Sequence, residues 1–344
     1  MIHMSFVKSI KQKILDSSDT FSQYKKENVI LKNDLNKEIM ACKNEIKSLK
    51  KRQLESEEIL NSNYSFFNTL WIDYDLKPKG ILKNMQGLCQ EVLDFFVNVC
   101  EKNELNYWLI GGNLLGAVRH GGYIPWDDDM DVGMMRKEFH AFNDCAFDEI
   151  KSNNLENYLT LKVFEQNPIY TENINPFTKL DCIAPNNIIL AGLVMFPYDY
   201  ANDKKFTLEE FCEFKMGFIS KSSDYEETLQ NYYSKFRLVF DDGKYVIPNP
   251  TFLRYADRYK KDLIFYERER IFPFKTIKFN GKDYNCPNDV EYFLKPEYGD
   301  YMNIPKILRD QHKNVDSLRN IEGINDYYRE YINKLKECND NFKF

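Results

Sequence analysis

The stretch GGNLLGAVRHGGYIPWDDDMDVGM, Gly111 to Met134, gathers most of the residue types in this chain that can do chemistry. It holds a glycine pair, an Arg–His pair and four aspartates: Asp127, Asp128, Asp129 and Asp131. Asp129 and Asp131 stand two apart, so in a strand their carboxylates share one face. Carboxylates so placed repel each other unless a cation lies between them. A donor pair made only of oxygen suits Mg2+ or Mn2+, with phosphate oxygens and water completing the shell. A solvated acidic turn is the competing reading. The apolar flanks, Trp126 and Val132, and the glycines upstream weigh toward a metal pair.

The glycines have their own chemistry. YWLIGG, Tyr107 to Gly112, reads as a strand, and Asn113–Val118 as a short helix that follows it. The first N–H groups of a helix have no partner inside it, and with the macrodipole they favour an anion such as phosphate. Gly111 and Gly112 let a ligand approach the backbone closely; a plain turn is the alternative. Arg119 suits two phosphate oxygens at once, or else an ion pair with one of the aspartates. Strand, Gly-Gly, short helix and a strand bearing D-x-D form the local pattern of the nucleotidyltransferase fold.

Other elements must hold this stretch in place. Gly80–Leu105 reads as a long amphipathic helix, with Ile81, Met85, Leu88, Cys89, Val92, Leu93 and Phe96 at helical spacing. Tyr123–Trp126 reads as a turn, Met130–Met134 as a second strand and Lys137–Ile150 as a helix. Upstream, residues 22–60 are rich in Lys, Glu and Asn and lack Gly and Pro. There Leu35, Ile39, Cys42, Ile46 and Leu49 follow the 4-3-4-3 spacing of a heptad seam, flanked by Asn28 and Gln53. Either a homo-oligomer forms through residues 28–60, or the helix packs on its own domain. The expected organisation is a helical, coiled-coil segment over 1–62, a linker over 63–77 and a catalytic domain over 78–344. The fold class expected is α+β: a nucleotidyltransferase-like mixed sheet with flanking helices, preceded by a long N-terminal helix.

Composition narrows the function classes. The net charge of −6 provides no basic field for nucleic acid or an anionic membrane. The eight cysteines form no C-x-x-C, and with four histidines no zinc spacing emerges. The opening MIHMSFVKSIKQKILDSS has no apolar signal core, and the longest apolar run, Ile188–Phe196, is too short to span a bilayer. A cytoplasmic location is expected, with room for peripheral contact at the inner face of a membrane.

The same stretch resembles the LicD family signature: a glycine-rich turn, a GAVRH-type helix and an IPWDDDxDIGM-type strand. A second block, IFPFKTIKFNGKDYNCPNDVEYFLKPEYGDYMNIP from Ile271 to Pro305, is similar to the family's distal segment and lies about 140 residues further along. Together the likeness covers roughly residues 78–315. It implies metal-dependent transfer of a phospho-alcohol, phosphocholine foremost, from a CDP-activated donor to a sugar hydroxyl of a cell-surface glycan or glycolipid, with CMP leaving. Carried over by residue, it makes Asp129 and Asp131 the metal pair for Mg2+ or Mn2+. Asp127 becomes the acid just upstream and the candidate proton acceptor. Gly111 and Gly112 become the phosphate turn, with Arg119 and His120 after the helix. Tyr298, Gly299, Asp300 and Tyr301 match the distal motif, and His312 resembles a histidine that often follows it.

Two positions depart from the pattern. Asn113 stands where Thr is usual, and its amide can still donate to a phosphate. Val194, in GLVMFPYDY, stands where the family places a third metal Asp. Asp181 is the expected substitute, because the APNN turn after it can return the chain beside GLVMF; Asp199 is the other. Without either, the site runs on two carboxylates and water. Two rival functions follow: a nucleotidyltransferase that moves an NMP and releases pyrophosphate, and a non-catalytic partner in glycan assembly.

Overall fold

The computed structural model describes residues 2–73, 76–164, 177–207, 209–210, 225–248, 263–303 and 313–344. His312 and Pro305, singled out above, lie outside them. The chain divides into two compact units, Met1–Asp73 and Tyr74–Phe344.

The first unit is a single helix, α1 (Ile2–Asp73), of 72 residues, which at 1.5 Å per residue is about 108 Å long. It contains neither Gly nor Pro, so nothing in it breaks the backbone ladder. For the same reason it continues past residue 62 and through most of the segment expected to be a linker. The linker expected over 63–77 is thus shortened: α1 runs to Asp73, and residues 76–79 are non-helical. Leu35, Ile39, Cys42, Ile46 and Leu49 are all exposed.

The second unit is built on a mixed sheet. Its helices are α2 (Gly80–Lys102), α3 (Gly111–His120), α4 (Arg136–Ser152), α5 (Tyr225–Phe236), α6 (Arg268–Ile271), α7 (Val290–Tyr298), α8 (Lys313–Leu318) and α9 (Ile324–Asp340). The main strands are β1 (Trp108–Leu109), β2 (Met130–Met135), β3 (Thr160–Phe164), β4 (Phe177–Ala184) and β5 (Ile188–Ala201), ordered β1-β2-β5-β4-β3. β2 and β5 are parallel, and the other pairs along this path are antiparallel. Beyond the pairing with β2, the end of β5 is extended by β6 (Leu238–Val239) and β7 (Tyr245–Pro248), and β8 (Tyr266–Glu267) pairs with β7.

Alternation along the strands divides the two faces of the sheet. Met130, Val132, Met134, Leu180, Cys182, Leu193 and Met195 are buried in the core that includes the apolar faces of α2 and α9. On the other face Asp131, Gly192, Val194 and Lys179 remain half-buried. Arg136, at the start of α4, closes a buried bidentate pair with Asp199 of β5, both bonds at 2.6 Å.

A separate hairpin, β9 (Lys275–Phe279) and β10 (Lys282–Cys286), turns at Asn280–Gly281, both at positive φ as an Asn-Gly turn requires. Its tip docks on the end of α3, where the Asn280 N–H donates to the Gly121 carbonyl at 2.8 Å. The distal block is thereby fastened to the first. Among the described residues no helix is long and apolar enough to cross a membrane, and the described cysteines are all free thiols.

Candidate active site

The site forms where α3 begins. The helix starts two residues earlier than its sequence suggests, at Gly111, whose φ of +55 is a conformation that glycine tolerates. A Cβ on Gly111 would lie 3.2 Å from Asp131 Oδ2 and 3.8 Å from the Tyr298 hydroxyl. A Cβ on Gly112 would collide with Asp127 Oδ2. The two glycines therefore leave room for carboxylates at the positive end of a helix, which stabilises negative charge there.

Asn113 completes this corner. It is 2% exposed, and its Oδ1 accepts the Asp131 backbone N–H at 2.5 Å. That bond fixes the orientation of the amide, so Nδ2 is the end left buried without a partner among the described residues. The helix start is tied directly to the strand that carries the acids. Gln86 of α2 supports the acidic turn from the other side, its amide donating to the carbonyls of Asp127 at 2.8 Å and Ile124 at 3.2 Å.

The acids do not share one environment. Asp127 and Asp128 are buried; Asp129, which precedes β2, keeps part of its surface in solvent while its carboxyl is turned in toward Asp127. Burial, then the charges of Asp129 and Asp128, hold Asp127 well above the ordinary carboxylate range. Burial, then Asp129, Asp127 and Glu297, do the same to Asp131. Desolvation also raises Asp129, partly offset by its hydrogen bond with Asp127 and by the charge of Lys179. Like charges this close retain a proton or take a cation.

Arg119 and His120, expected at the phosphate, are engaged with the distal block and with each other. Arg119 Nη1 donates to the carbonyls of Tyr301 at 3.2 Å and Asn303 at 3.3 Å, and its Nε donates to His120 Nε2 at 3.1 Å. Burial and the neighbouring guanidinium push His120 down to about 4, so it is a neutral acceptor. These contacts hold the Tyr298–Asn303 turn against the site. Asp300 stays exposed, accepting from the Asn303 side chain at 2.6 Å.

β5 supplies the next column. Asp131 is register partner to Val194, so the odd residue stands beside one of the two acids expected to hold a metal. The APNN turn returns β4 alongside β5 and pairs Asp181 with Gly192. Asp181 is on the site's face, but its Oδ2 is held by Lys162 Nζ at 3.0 Å. Asp199 is committed to Arg136 and to the Tyr233 hydroxyl, so it offers no ligand here.

A divalent cation suits this donor set. Asp127, Asp129 and Asp131 offer only oxygen, and their mutual repulsion is what a hard cation relieves. Among the described residues no three His, Cys, Asp or Glu side chains already converge on one point. Sequence reasoning missed Lys179, Lys162, Glu297 and Gln86. The alternation in FTKLD sets Lys179 and Asp181 on one face, but only strand pairing brings that face to the acids.

Residues 104–187 match the family model described as LicD/FKTN/FKRP, nucleotidyltransferase domain. The lipopolysaccharide cholinephosphotransferase LicD of Haemophilus influenzae is 48% identical over 71 residues, 21% of this chain and 27% of that protein. The human ribitol 5-phosphate transferase FKRP is 51% identical over 45 residues, 13% of this chain and 9% of that protein. A Rickettsia prowazekii protein is 57% identical over 37 residues, 11% of this chain and 14% of its own length. The matched stretches thus span under a third of each relative.

Proposed function

From a chain whose residues 104–187 belong to the LicD family of nucleotidyltransferase domains, we propose a metal-dependent transfer of a phospho-alcohol from a CDP-activated donor to a sugar hydroxyl of a cell-surface glycan or glycolipid. Phosphocholine is the first candidate group, after the Haemophilus relative; ribitol phosphate follows from FKRP. The observation that carries this reading is the meeting of three features: the α3 start at Gly111–Gly112, the Asp127/Asp129/Asp131 cluster, and Tyr298 from the distal block.

Asp129 and Asp131 would hold one Mg2+ or Mn2+. When bound, the cation neutralises charge on the diphosphate and on the leaving CMP. The buried Asn113 amide and the first N–H groups of α3 donate to phosphate oxygens. The acceptor hydroxyl attacks phosphorus, the bond to the CMP oxygen breaks, and the hydroxyl proton passes to the Asp127 carboxylate. A carboxyl raised by burial is a stronger base than one in water, which suits Asp127 to that role. The reaction would take place in the cytoplasm, at the inner face of the membrane where the acceptor is a glycolipid.

The test is incubation of the full chain with Mg2+ and CDP-choline, CDP-ethanolamine, CDP-ribitol or CDP-glycerol. Release of CMP that requires both metal and Asp131 supports the reading. Pyrophosphate release from a nucleoside triphosphate would support the NMP-transfer alternative. Absence of both, with metal bound weakly, would support a non-catalytic partner.

A further inference from the structure

One row of side chains crosses the open face of the sheet. Asp131 on β2 partners Val194 on β5, Val194 partners Lys179 on β4, and Lys179 partners Lys162 on β3. Partners in adjacent strands project to the same side. Neighbouring strands lie about 4.7–4.9 Å apart, which sets the Asp131 and Lys179 backbones roughly 9–10 Å from each other. Along this row the residue between them is Val194.

The two lysines of this row differ. Lys162 is spent on Asp181, at 3.0 Å. Lys179 makes no ion pair and no hydrogen bond among the described residues; its ammonium lies over the Phe177 ring, 5.7 Å from the centroid. It is half-buried, and its charge is felt at both Asp129 and Asp131 without contact with either. The row therefore sets the acid-bearing strand on one side of Val194 and a half-buried ammonium, with no ion pair among the described residues, on the other. The ligand that suits such a row is an anion with oxygens on opposite sides, such as a phosphate, which can face a cation at the acids and the ammonium together. An aliphatic side chain at residue 194 adds no competing charge.

We propose that Lys179 is a phosphate-binding residue of the active site: its ammonium takes a diphosphate oxygen of the donor above Val194, opposite the cation held by Asp129 and Asp131. The inference rests on the phosphotransfer reading above and names a residue that reading does not use. Lys179 then supplies a protein-borne ammonium beside the exchangeable cation, in the row where residue 194 carries no carboxylate.

The experiment uses the full chain and CDP as the probe. Calorimetry with saturating Mg2+ measures CDP affinity for the wild type, Lys179→Met and Lys179→Arg. Electron paramagnetic resonance measures Mn2+ binding without nucleotide. A lost hydrogen bond to a charged group should weaken CDP binding about 10- to 100-fold in Lys179→Met. Lys179→Arg should keep most of the affinity. Mn2+ binding alone should be unchanged or tighter in Lys179→Met, because a competing positive charge is gone. Wild-type CDP affinity in Lys179→Met would overturn the inference alone. So would a loss of Mn2+ binding in that variant with a lowered melting temperature, which marks a structural role. Failure of the wild type itself to bind CDP would overturn the phosphotransfer reading and this inference with it.

Discussion

Asp131 and Val194 are register partners in the two parallel strands at the middle of the sheet. A carboxylate and an isopropyl group thus stand side by side where a second carboxylate would share a cation. Val194→Asp should strengthen Mn2+ binding, since it adds an oxygen donor next to Asp131. The gain should be larger in Val194→Asp/Lys179→Met, where the new carboxylate has no ammonium beside it. Titration of Mn2+ by paramagnetic resonance checks both, and equal affinity in all variants would place residue 194 away from the metal.

Asp131→Asn should leave the protein folded and weaken both metal binding and transfer. Loss of one electrostatic contact of this kind costs about 10²–10³ in rate. The variant's melting temperature in EDTA should match or exceed that of the wild type, because a desolvated, repelled carboxyl is replaced by a neutral amide. CMP release and thermal unfolding measure the two effects separately.

Asp199→Asn tests the acid that Arg136 holds in the core. Its partner Arg136 would remain buried and partly uncompensated, at a cost of about 3–5 kcal/mol. Both side chains are almost fully buried, so solvent screening does little to reduce that figure. Denaturant unfolding should show the loss, while Mn2+ affinity of the folded protein stays at the wild-type value.

His120 provides a pH signature. Its folded-state value lies near 4, below the ordinary 6.5. The unfolded chain therefore takes up this proton first, and His120 costs the fold stability as pH falls from 6.5 toward 4. His120→Gln retains a neutral acceptor for Arg119 and removes the titration. Its melting temperature should decline less than that of the wild type across this window, and parallel profiles would contradict the assignment.

The seam of α1 is expected to pair with a second copy of the chain, because its apolar residues are exposed at heptad spacing. Deletion of residues 1–73 removes that seam and leaves the compact unit from Tyr74. Light scattering should then report a monomer, against a larger particle for the full chain. The same number of chains per particle in both forms would assign the helix another role.

Local pattern determined much of this protein. The D-x-D spacing, the glycine pair at a helix start and the amphipathic period of α2 are all set by residues within a few positions of each other, and each formed close to its expected place. The absence of Gly and Pro upstream likewise determined a helix, although its length exceeded the heptad pattern because apolar spacing marks a packing face, whereas a helix ends only where its backbone ladder is broken. What tertiary structure alone decided is the company of the acids. Strand pairing put Val194 and Lys179 in line with Asp131, gave Asp181 to Lys162 and turned Asp199 to Arg136. It also aimed Arg119 at the carbonyls of the distal turn and brought Tyr298 against Gly111. Register and docking join residues far apart in the chain, and no spacing along the sequence encodes which face of one strand will meet which charge of another.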